Sequence, residues 1–439
     1  MTRYGLLVVV GLVACGMPPS GIDAGSAGGG STAGGSAGGG SSGGGSSGGG
    51  SSGGGSSGAG STGGGSSGGG SSGGGATAGG SSAGGAAAGG SAGGSQAGGG
   101  AGGSPGRLHA FVGSGNGNIT AYAVDVTTGA MTSLGATSAG SNPSFLAFDV
   151  PRGRLYAVNE GSSQIAAFTL ASDAGLSLLN RVGSQGNGPA HVSVDPSGQW
   201  VFAANYGGGN VAVLRVTDGG LGAATDTEAS GGQAHQILSD ATGRFVYVPC
   251  KAANHVAQYR FDADAGQLTP LAPATVPTAA NAGPRHLALH PGGTWAFLIN
   301  ELDDTLTSLR VEADGRLTPV DTKPTLPMGI SGASNTTAEV QVHPNGRFVY
   351  GSNRGHNSIV AFSVDLTSGT LTLLGHTPTG GSTPRHFDID PSGQLLLVGN
   401  LNSGAVHAFR VDANTGGLTA LGQQATVNAP AFVGFTRLP

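Results

Sequence analysis

Gly346 to Arg354 reads GRFVYGSNR, a glycine turn followed by a basic residue, a short apolar run and an asparagine. The same pattern occurs six more times, with successive glycines 45 to 53 residues apart. The other copies read GRLHAFVG from Gly106, GRLYAVNE from Gly153, GQWVFAANY from Gly198, GRFVYVPCK from Gly243, GTWAFLINE from Gly293 and GQLLLVGN from Gly393. A repeat of this length, with several strand-length apolar runs per unit, is typical of a β-propeller blade. The sequence therefore predicts an all-β propeller with seven blades.

The two ends of the repeat region predict how the ring closes. Six units carry an apolar strand before the glycine turn, for example PSFLAFDVP at residues 143–151, whereas the first unit has only linker sequence there. The C-terminal segment, residues 430–439, reads PAFVGFTRLP and matches that strand. We expect the last strand to complete the first blade, which leaves no unpaired strand edge.

Composition divides the chain into three parts. Residues 1–14 are mostly apolar after Arg3, too short to span a membrane and typical of a signal peptide. Residues 15–105 are almost all Gly, Ser, Ala and Thr. These residues have too little apolar surface to bury to compensate the conformational entropy that folding would cost. We therefore expect a disordered Gly/Ser-rich tether. Residues 106–439 are long enough for one large domain and are the predicted propeller.

The junction between the first two parts predicts a lipid anchor. Residues 12–15 read LVAC and resemble the bacterial lipobox, in which the peptide is cut before the cysteine and the cysteine receives lipid. An ordinary secretory signal with an incidental cysteine is the alternative. Gly16 follows Cys15, with no acidic retention residue. The resemblance implies a lipoprotein of the cell envelope, anchored through Cys15, at the outer membrane or cell surface rather than the inner membrane.

Charge and cysteine content exclude several classes of function. The net charge is −5, and no basic stripe is present, so we expect no nucleic-acid partner. Cys15 and Cys250 are the two cysteines, so a lipidated chain has no internal disulfide and Cys250 is a free thiol that we expect to be buried. No CxxC, HExxH or clustered carboxylate spacing occurs, and we expect neither a metal nor a cofactor.

Hairpin geometry predicts where the polar residues meet. In each blade the strand before the glycine turn and the strand after it are antiparallel, so the start of the first and the end of the second share one rim. Four of the 18 Lys and Arg residues fall on this rim, which favours an anionic ligand or a transition state that gains negative charge. We interpret the neighbouring Tyr206, with Trp200 and Trp295, as packing residues. The titratable residues of the rim include His191, His235, Lys251, Arg285, His286, Glu301, Glu339, Arg354, Arg385 and His386.

Four segments carry a resemblance to a known family. They read HVSVDPSGQWVFAANYGGGNV (residues 191–211), GPRHLALHPGGTWAFLINEL (283–302), AEVQVHPNGRFVYGSNRGHNSI (338–359) and PRHFDIDPSGQLLLVGNLNSG (384–404). They resemble the seven-bladed lactonase family, which includes the propeller-type 6-phosphogluconolactonase and the fungal carboxymuconate lactonizing enzyme. The resemblance covers residues 107–439, and GPRH, INE and SNRGH are its most specific motifs.

The resemblance implies roles for particular residues. A neutral His235 would take a proton from the attacking water, while one of Arg285 and Arg354 stabilises the oxyanion and the other holds the anionic group of the substrate. Glu301 would orient the histidine or an arginine. The catalytic set is thus His235, Arg285, Glu301 and Arg354. The implied substrate-binding residues are His191, Lys251, His286, Arg385 and His386.

Three functions remain open at this point. The first is metal-independent hydrolysis of a lactone by a monomer that binds a small anionic lactone or sugar acid. The second is a carboxymuconate-type cycloisomerase, in which Arg285 and Arg354 bind carboxylates and His235 or Glu301 moves a proton. The third is a non-catalytic, surface-displayed propeller that binds a ligand or a partner on the same rim. Structural roles are the alternative for single residues. A rim histidine could do no more than form a hydrogen bond to a neighbouring backbone carbonyl, and Glu301 with Arg285 could be a structural ion pair.

Overall fold

The chain from residue 106 to residue 439, which is the part that the computed structural model describes, forms 28 β-strands in seven four-stranded antiparallel sheets. The predicted all-β, seven-bladed propeller is confirmed. The predicted signal peptide, Cys15 and the Gly/Ser-rich tether lie outside the described residues. No helix within residues 106–439 is long and apolar enough to cross a membrane.

Each blade runs from an inner strand to an outer strand, and the inner strands of successive blades contact each other around the ring. The inner strands, from blade 1 to blade 7, are β28 (Pro430–Leu438), β4 (Leu146–Asp149), β8 (Pro189–Val194), β12 (Leu238–Ser239), β16 (Pro284–Leu289), β20 (Thr337–Val342) and β24 (Pro384–Ile389). The second strands are β1 (Arg107–Ser114), β5 (Arg154–Asn159), β9 (Trp200–Asn205), β13 (Phe245–Cys250), β17 (Trp295–Asn300), β21 (Phe348–Asn353) and β25 (Leu395–Asn400).

The outer half of each blade is a second hairpin with a mostly exposed last strand. The third strands are β2 (Asn118–Val124), β6 (Gln164–Leu170), β10 (Asn210–Thr217), β14 (His255–Asp262), β18 (Thr305–Val311), β22 (Ser358–Val364) and β26 (Ala405–Val411). The outer strands are β3 (Met131–Ser138), β7 (Leu176–Gly183), β11 (Gly220–Ala229), β15 (Gln267–Pro277), β19 (Leu317–Pro324), β23 (Leu371–Pro378) and β27 (Leu418–Thr426). Short 3₁₀ helices cover Val150–Arg152, Glu160–Ser162 and Gly332–Ser334.

The glycine turn that defines the repeat joins the first two strands of a blade and contacts the preceding blade. Gly346 has a φ of +74°, a conformation that residues with a Cβ rarely adopt. Its carbonyl oxygen accepts a hydrogen bond of 3.0 Å from Nε2 of His290 in the blade before it. His343 makes the equivalent bond, 2.9 Å, to the carbonyl oxygen of Gly393. The repeated glycine therefore serves both the turn and the contact between blades.

The C-terminal strand closes the ring, as the sequence predicts. β28 pairs with β1 over its whole length, with Val433 opposite Val112 and Leu438 opposite Arg107. Phe435 on β28 is fully buried in a cluster that includes Leu108 of blade 1 and residues of blade 7. The closing strand therefore supplies main-chain hydrogen bonds to the first blade and apolar contacts to the last.

In blades 3, 5 and 7 the inner strand starts with an extra residue on the rim opposite the glycine turns. In blade 5, Pro284 pairs with Asn300 and His286 pairs with Ile299, which leaves Arg285 as the inserted residue of a bulge. Blade 7 repeats this with Arg385 between Pro384 and His386. A bulge re-aims the side chains next to it. Here the bulge places two consecutive residues, an arginine and a histidine, on the rim.

We predict that truncating Phe435 to alanine weakens ring closure. Removal of a fully buried phenylalanine side chain costs about 3–5 kcal/mol, because the lost apolar contacts leave a cavity. Urea denaturation of the full chain should therefore show a lower midpoint for Phe435→Ala. The control is Leu134→Ala on the outer strand of the same blade, where the leucine is 47% exposed and a small change is expected. Equal midpoints for Phe435→Ala and the parent would contradict this account of closure.

Candidate active site

Seven side chains, one from each blade, meet across the propeller axis. Each is the third residue of the segment that leads into the inner strand. All are buried, and neighbouring rings are in contact: Phe145 lies 3.9 Å from His191 and His386 lies 4.4 Å from Phe432, centroid to centroid. We call this set the axial ring; its members are Phe145, His191, His235, His286, Glu339, His386 and Phe432.

Polar contacts inside the axial ring form a chain of three residues. Oε2 of Glu339 lies 2.7 Å from Nδ1 of His286, and Nε2 of His286 lies 3.1 Å from Nδ1 of His235. A second histidine, His386, approaches the same carboxylate oxygen at 3.3 Å through Nε2. The other oxygen, Oε1, accepts a hydrogen bond of 3.1 Å from Gln341. Glu339 is therefore the polar hub of the axial ring.

Three cations surround a second buried carboxylate on the same rim. Glu301 lies 2.6 Å from Nζ of Lys251, 3.1 Å from Nε of Arg285 and 3.1 Å from Nη2 of Arg354. We call Lys251, Arg285 and Arg354, with Glu301 between them, the cation cluster. Their side chains are 15%, 2% and 6% exposed, respectively. Lys251 is thus the member most open to solvent, and Arg285 is anchored by a 2.7 Å hydrogen bond from Nη1 to the carbonyl oxygen of Ala338.

The charges of the cation cluster keep its carboxylate ionised. Burial alone would raise the pKa of Glu301, but Arg354, Arg285 and Lys251 outweigh it and lower this pKa to about 2. Burial lowers the pKa of Arg285 to about 9, and the charges of Arg354 and Arg385 add to this effect. Glu301 and Arg285 are therefore an ionised pair at neutral pH. Cations that converge in this way favour an anion at the exposed side of the cluster.

The histidines of the axial ring are neutral at neutral pH. Burial lowers the pKa of His235 well below its usual value, and the charge of Arg285 lowers it further. The same two causes, in the same order, lower the pKa of His286 well below its usual value. A neutral imidazole has one nitrogen lone pair that can accept a proton.

His235 connects the axial ring to the cation cluster. Its ring lies 5.5 Å from the ring of Tyr206, centroid to centroid, in an edge-on arrangement. The hydroxyl of Tyr206 lies 3.4 Å from Nζ of Lys251, which itself contacts Glu301. His235 and the cations therefore share one wall of the rim.

The four predicted catalytic residues come together, but Glu301 is placed differently from one of its expected roles. His235 lies against Tyr206, whose hydroxyl contacts Lys251, and Arg285 and Arg354 both contact Glu301. Within residues 106–439, the side-chain contacts shown for Glu301 join it to cations and not to a histidine. Glu301 is therefore placed to orient the arginines, while Glu339 is the carboxylate that contacts histidine.

The predicted substrate-binding residues divide into two groups. Lys251 belongs to the cation cluster, and Arg385 is partly exposed on the same rim. In contrast, His191, His286 and His386 are buried members of the axial ring with partners already in place. We therefore place these three histidines beneath the binding surface instead of on it.

Cys250 is buried next to this wall and is not reactive. Its thiol contacts the carbonyl oxygens of Ser230 and Val248, at 3.1 and 3.3 Å. Burial raises the pKa of Cys250 to about 11, so the thiol is protonated at neutral pH.

Comparison with known proteins agrees with this fold. Residues 109–435 match the family described as "Lactonase, 7-bladed beta-propeller". The chain belongs to this family. It is 35% identical over 171 residues to a 6-phosphogluconolactonase of Sodalis glossinidius, covering 38% of this chain and 50% of that protein. It is also 35% identical over 155 residues to a 6-phosphogluconolactonase of Serratia proteamaculans, covering 35% of this chain and 46% of that protein. The chain thus spans about half the length of the curated relatives it matches.

A solved structure covers the propeller more fully. The periplasmic gluconolactonase of Pseudomonas aeruginosa is 29% identical, with a TM-score of 0.71, and the match covers 76% of this chain and 100% of that one. This family membership confirms the resemblance that the GPRH, INE and SNRGH motifs predict.

Two residues of the site are missing from the set predicted by sequence. The sequence places Glu339 on the rim without indicating a role, and it indicates a packing role for Tyr206, which is in fact partly exposed and contacts His235 and Lys251. A signal for Glu339 exists, because Thr337-Ala338-Glu339 occupies the place of Pro284-Arg285-His286 in the neighbouring blade. The signal is that this blade carries a carboxylate at a repeat position where four other blades carry histidine.

We predict that Glu301 stabilises the fold most strongly near neutral pH. Its folded-state pKa, about 2, lies below the ordinary value of 4.5. Its contribution is therefore complete above about pH 5 and is lost as the pH falls through 4.5 toward 2. Urea denaturation of the parent and of Glu301→Gln should show a stability difference that shrinks over this window.

The control for this experiment is Glu312→Gln, which removes the exposed carboxylate of the Arg310–Glu312 ion pair. Its effect should be much smaller, because exposed ion pairs are screened by water and salt. A difference between parent and Glu301→Gln that does not depend on pH would show that the carboxylate charge is not what stabilises the cluster.

Proposed function

We propose that the chain hydrolyses the ester bond of an anionic lactone, without a metal ion, where His235 meets the cation cluster. One observation carries this proposal: a neutral histidine shares a wall with three cations that converge on Glu301. The histidine suits proton transfer from water. The converging cations suit both a negatively charged substrate and the oxyanion that forms during ester hydrolysis.

The reaction follows from these roles. A water molecule attacks the lactone carbonyl carbon and gives one proton to His235, while the carbonyl oxygen becomes an oxyanion stabilised by an arginine of the cation cluster. The tetrahedral intermediate then collapses, the bond to the ring oxygen breaks, and His235 returns the proton to the departing oxygen. The product is the open-chain hydroxy acid, and His235 ends in its starting state.

The substrate class follows from the relatives and the charge. The named relatives are 6-phosphogluconolactonases and a gluconolactonase, which supports a sugar-acid lactone as substrate. The solved gluconolactonase is periplasmic. This suits the cell-envelope location predicted from residues 12–15, and we extend the proposal to a sugar-acid lactone that is present outside the cytoplasm.

We predict that His235→Ala and Arg285→Ala lose lactone hydrolysis. Removal of a general base lowers kcat by about 10²–10⁴-fold. The measurement is hydrolysis of a panel of lactones by the full chain with a chelator present, including gluconolactone with and without a 6-phosphate. The control is His407→Ala, since His407 lies on β26, the third strand of its blade, and not on an inner strand, so its loss should leave kcat unchanged. If the folded chain hydrolyses none of these lactones, the cycloisomerase and binding functions take precedence.

We also predict that Lys251 recognises negative charge on the substrate. Lys251 is the most exposed cation of the cluster, so its loss should mainly weaken binding. Lys251→Ala should raise KM for the phosphorylated lactone by about 10-fold, which corresponds to the loss of one charge-assisted contact. The KM for the unphosphorylated lactone should change less. An equal rise for both substrates would show that Lys251 acts on the fold of the site and not on substrate charge.

A further inference from the structure

We propose that Glu339, His286 and His235 form a proton relay, in which Glu339 is a positioning residue that sets the proton-accepting strength of His235 through His286. The inference rests on the proposed function, because the relay serves the proton that His235 takes from water. It assigns a role to two buried residues that the hydrolysis scheme does not otherwise use.

The geometry gives the relay a direction. The two contacts, 2.7 Å from Glu339 to His286 and 3.1 Å from His286 to His235, occupy both nitrogens of His286 and Nδ1 of His235. When Nδ1–H of His286 donates a hydrogen bond to the Glu339 carboxylate, Nε2 of His286 is left to accept a hydrogen bond from Nδ1–H of His235. Nε2 of His235 then carries the lone pair. The carboxylate thus fixes which nitrogen of His235 acts as the base.

The exposure of the three groups agrees with that direction. Glu339 and His286 are almost completely buried, and His235 is the most exposed of the three at 7%. The chain therefore runs from the interior of the propeller to the wall that His235 shares with Tyr206 and Lys251. A purely structural network would not need its most exposed member to lie beside the cation cluster.

Proton transfer along the chain avoids a buried cation. When water gives a proton to Nε2 of His235, the Nδ1 proton of His235 passes to Nε2 of His286, and the Nδ1 proton of His286 passes to Oε2 of Glu339. All three residues are then neutral. Without Glu339 the proton would leave an imidazolium beside the cation cluster, where like charges repel it. The three shifts reverse when His235 protonates the departing oxygen.

The groups around the relay favour this end state. Burial raises the pKa of Glu339, although the charge of Arg285 opposes the rise, so a proton on this carboxyl group costs less free energy than on an exposed one. Asp388 lies two residues after His386 on β24, and its negative charge also raises the pKa of Glu339. The backbone amides of Phe435 and Ile389 donate hydrogen bonds to Asp388, at 2.7 and 2.8 Å. The charged groups that act on His235 are Arg285, Arg385, Lys251 and Arg354.

His386 is not an equivalent route. It approaches Glu339 at 3.3 Å, longer than the 2.7 Å of His286, and its Nδ1 faces the backbone amide of Val433 on the closing strand at 3.5 Å. Its ring stacks against Phe432 and lies near Phe145, which are apolar. His386 therefore holds the carboxylate from the side opposite the relay.

The first test is the pH profile of Glu339→Gln with the lactone that the full chain hydrolyses. Glutamine keeps the shape of the side chain but cannot take up a proton. We expect kcat to fall by about 10–100-fold with KM within twofold, and the ascending acid limb of the kcat profile to move to lower pH, because His235 becomes a weaker base. Glu339→Asp, which keeps a carboxylate at shorter reach, should recover part of kcat and return the limb toward that of the parent.

The matched control is Asp195→Asn, which also alters a buried carboxylate. Asp195 lies at the turn after β8 and accepts hydrogen bonds from the backbone amides of Ser197 and Trp200, at the rim opposite the relay. We expect lower stability with an unchanged pH profile. The double variant Glu339→Gln/His286→Gln should lose no more kcat than the larger single loss, because members of one relay are not additive. Multiplied losses would overturn the relay.

The second test needs no substrate. The ¹⁵N chemical shifts of the His235 ring, assigned by their absence in His235→Gln, report which nitrogen carries the proton. In the parent at neutral pH we expect a protonated Nδ1 and an unprotonated Nε2, and in Glu339→Gln a mixture of the two forms. An unchanged His235 tautomer in Glu339→Gln would overturn the relay even if the lactone is hydrolysed. If the tautomer changes but no lactone is hydrolysed, the relay stands and the proposed function fails.

Discussion

The pairing of β28 with β1 is the contact on which the rest of the structure depends. It joins the last segment of the chain to the first strand of the propeller, so that every blade has four strands and β1 is not left as an unpaired edge. Only a closed ring brings one residue from each of seven blades to the same axis. The axial ring therefore exists because of closure, with Phe432 of the closing strand as one of its members.

The site built on this ring separates two buried carboxylates by their surroundings. Glu301 has three cations against it, which lower its pKa to about 2 and keep it ionised. Glu339 has histidines against it, and burial raises its pKa. Two carboxyl groups with opposite pKa shifts can take different roles, one fixing the position of charges and the other exchanging a proton.

Much of this arrangement could be predicted from the repeat. The spacing of the glycine turns predicts the blades, and antiparallel pairing places His235, Arg285 and Arg354 on one rim. The pattern does not give distances or rotamers, which depend on contacts between residues 46 to 53 positions apart. For this reason it did not assign His286 to the interior, nor Tyr206 to the wall beside Lys251.

The sequence by itself determined the number of blades, the closing strand, the rim that carries the polar residues and the family, because each of these follows from local turns and from a repeated pattern. The tertiary structure alone decided which carboxylate meets which partner. Glu301 and Glu339 each follow their own blade's pattern, yet one meets cations and the other meets histidines, because these partners belong to other blades. Charge and burial act through space, and their effect appears only when the ring is closed.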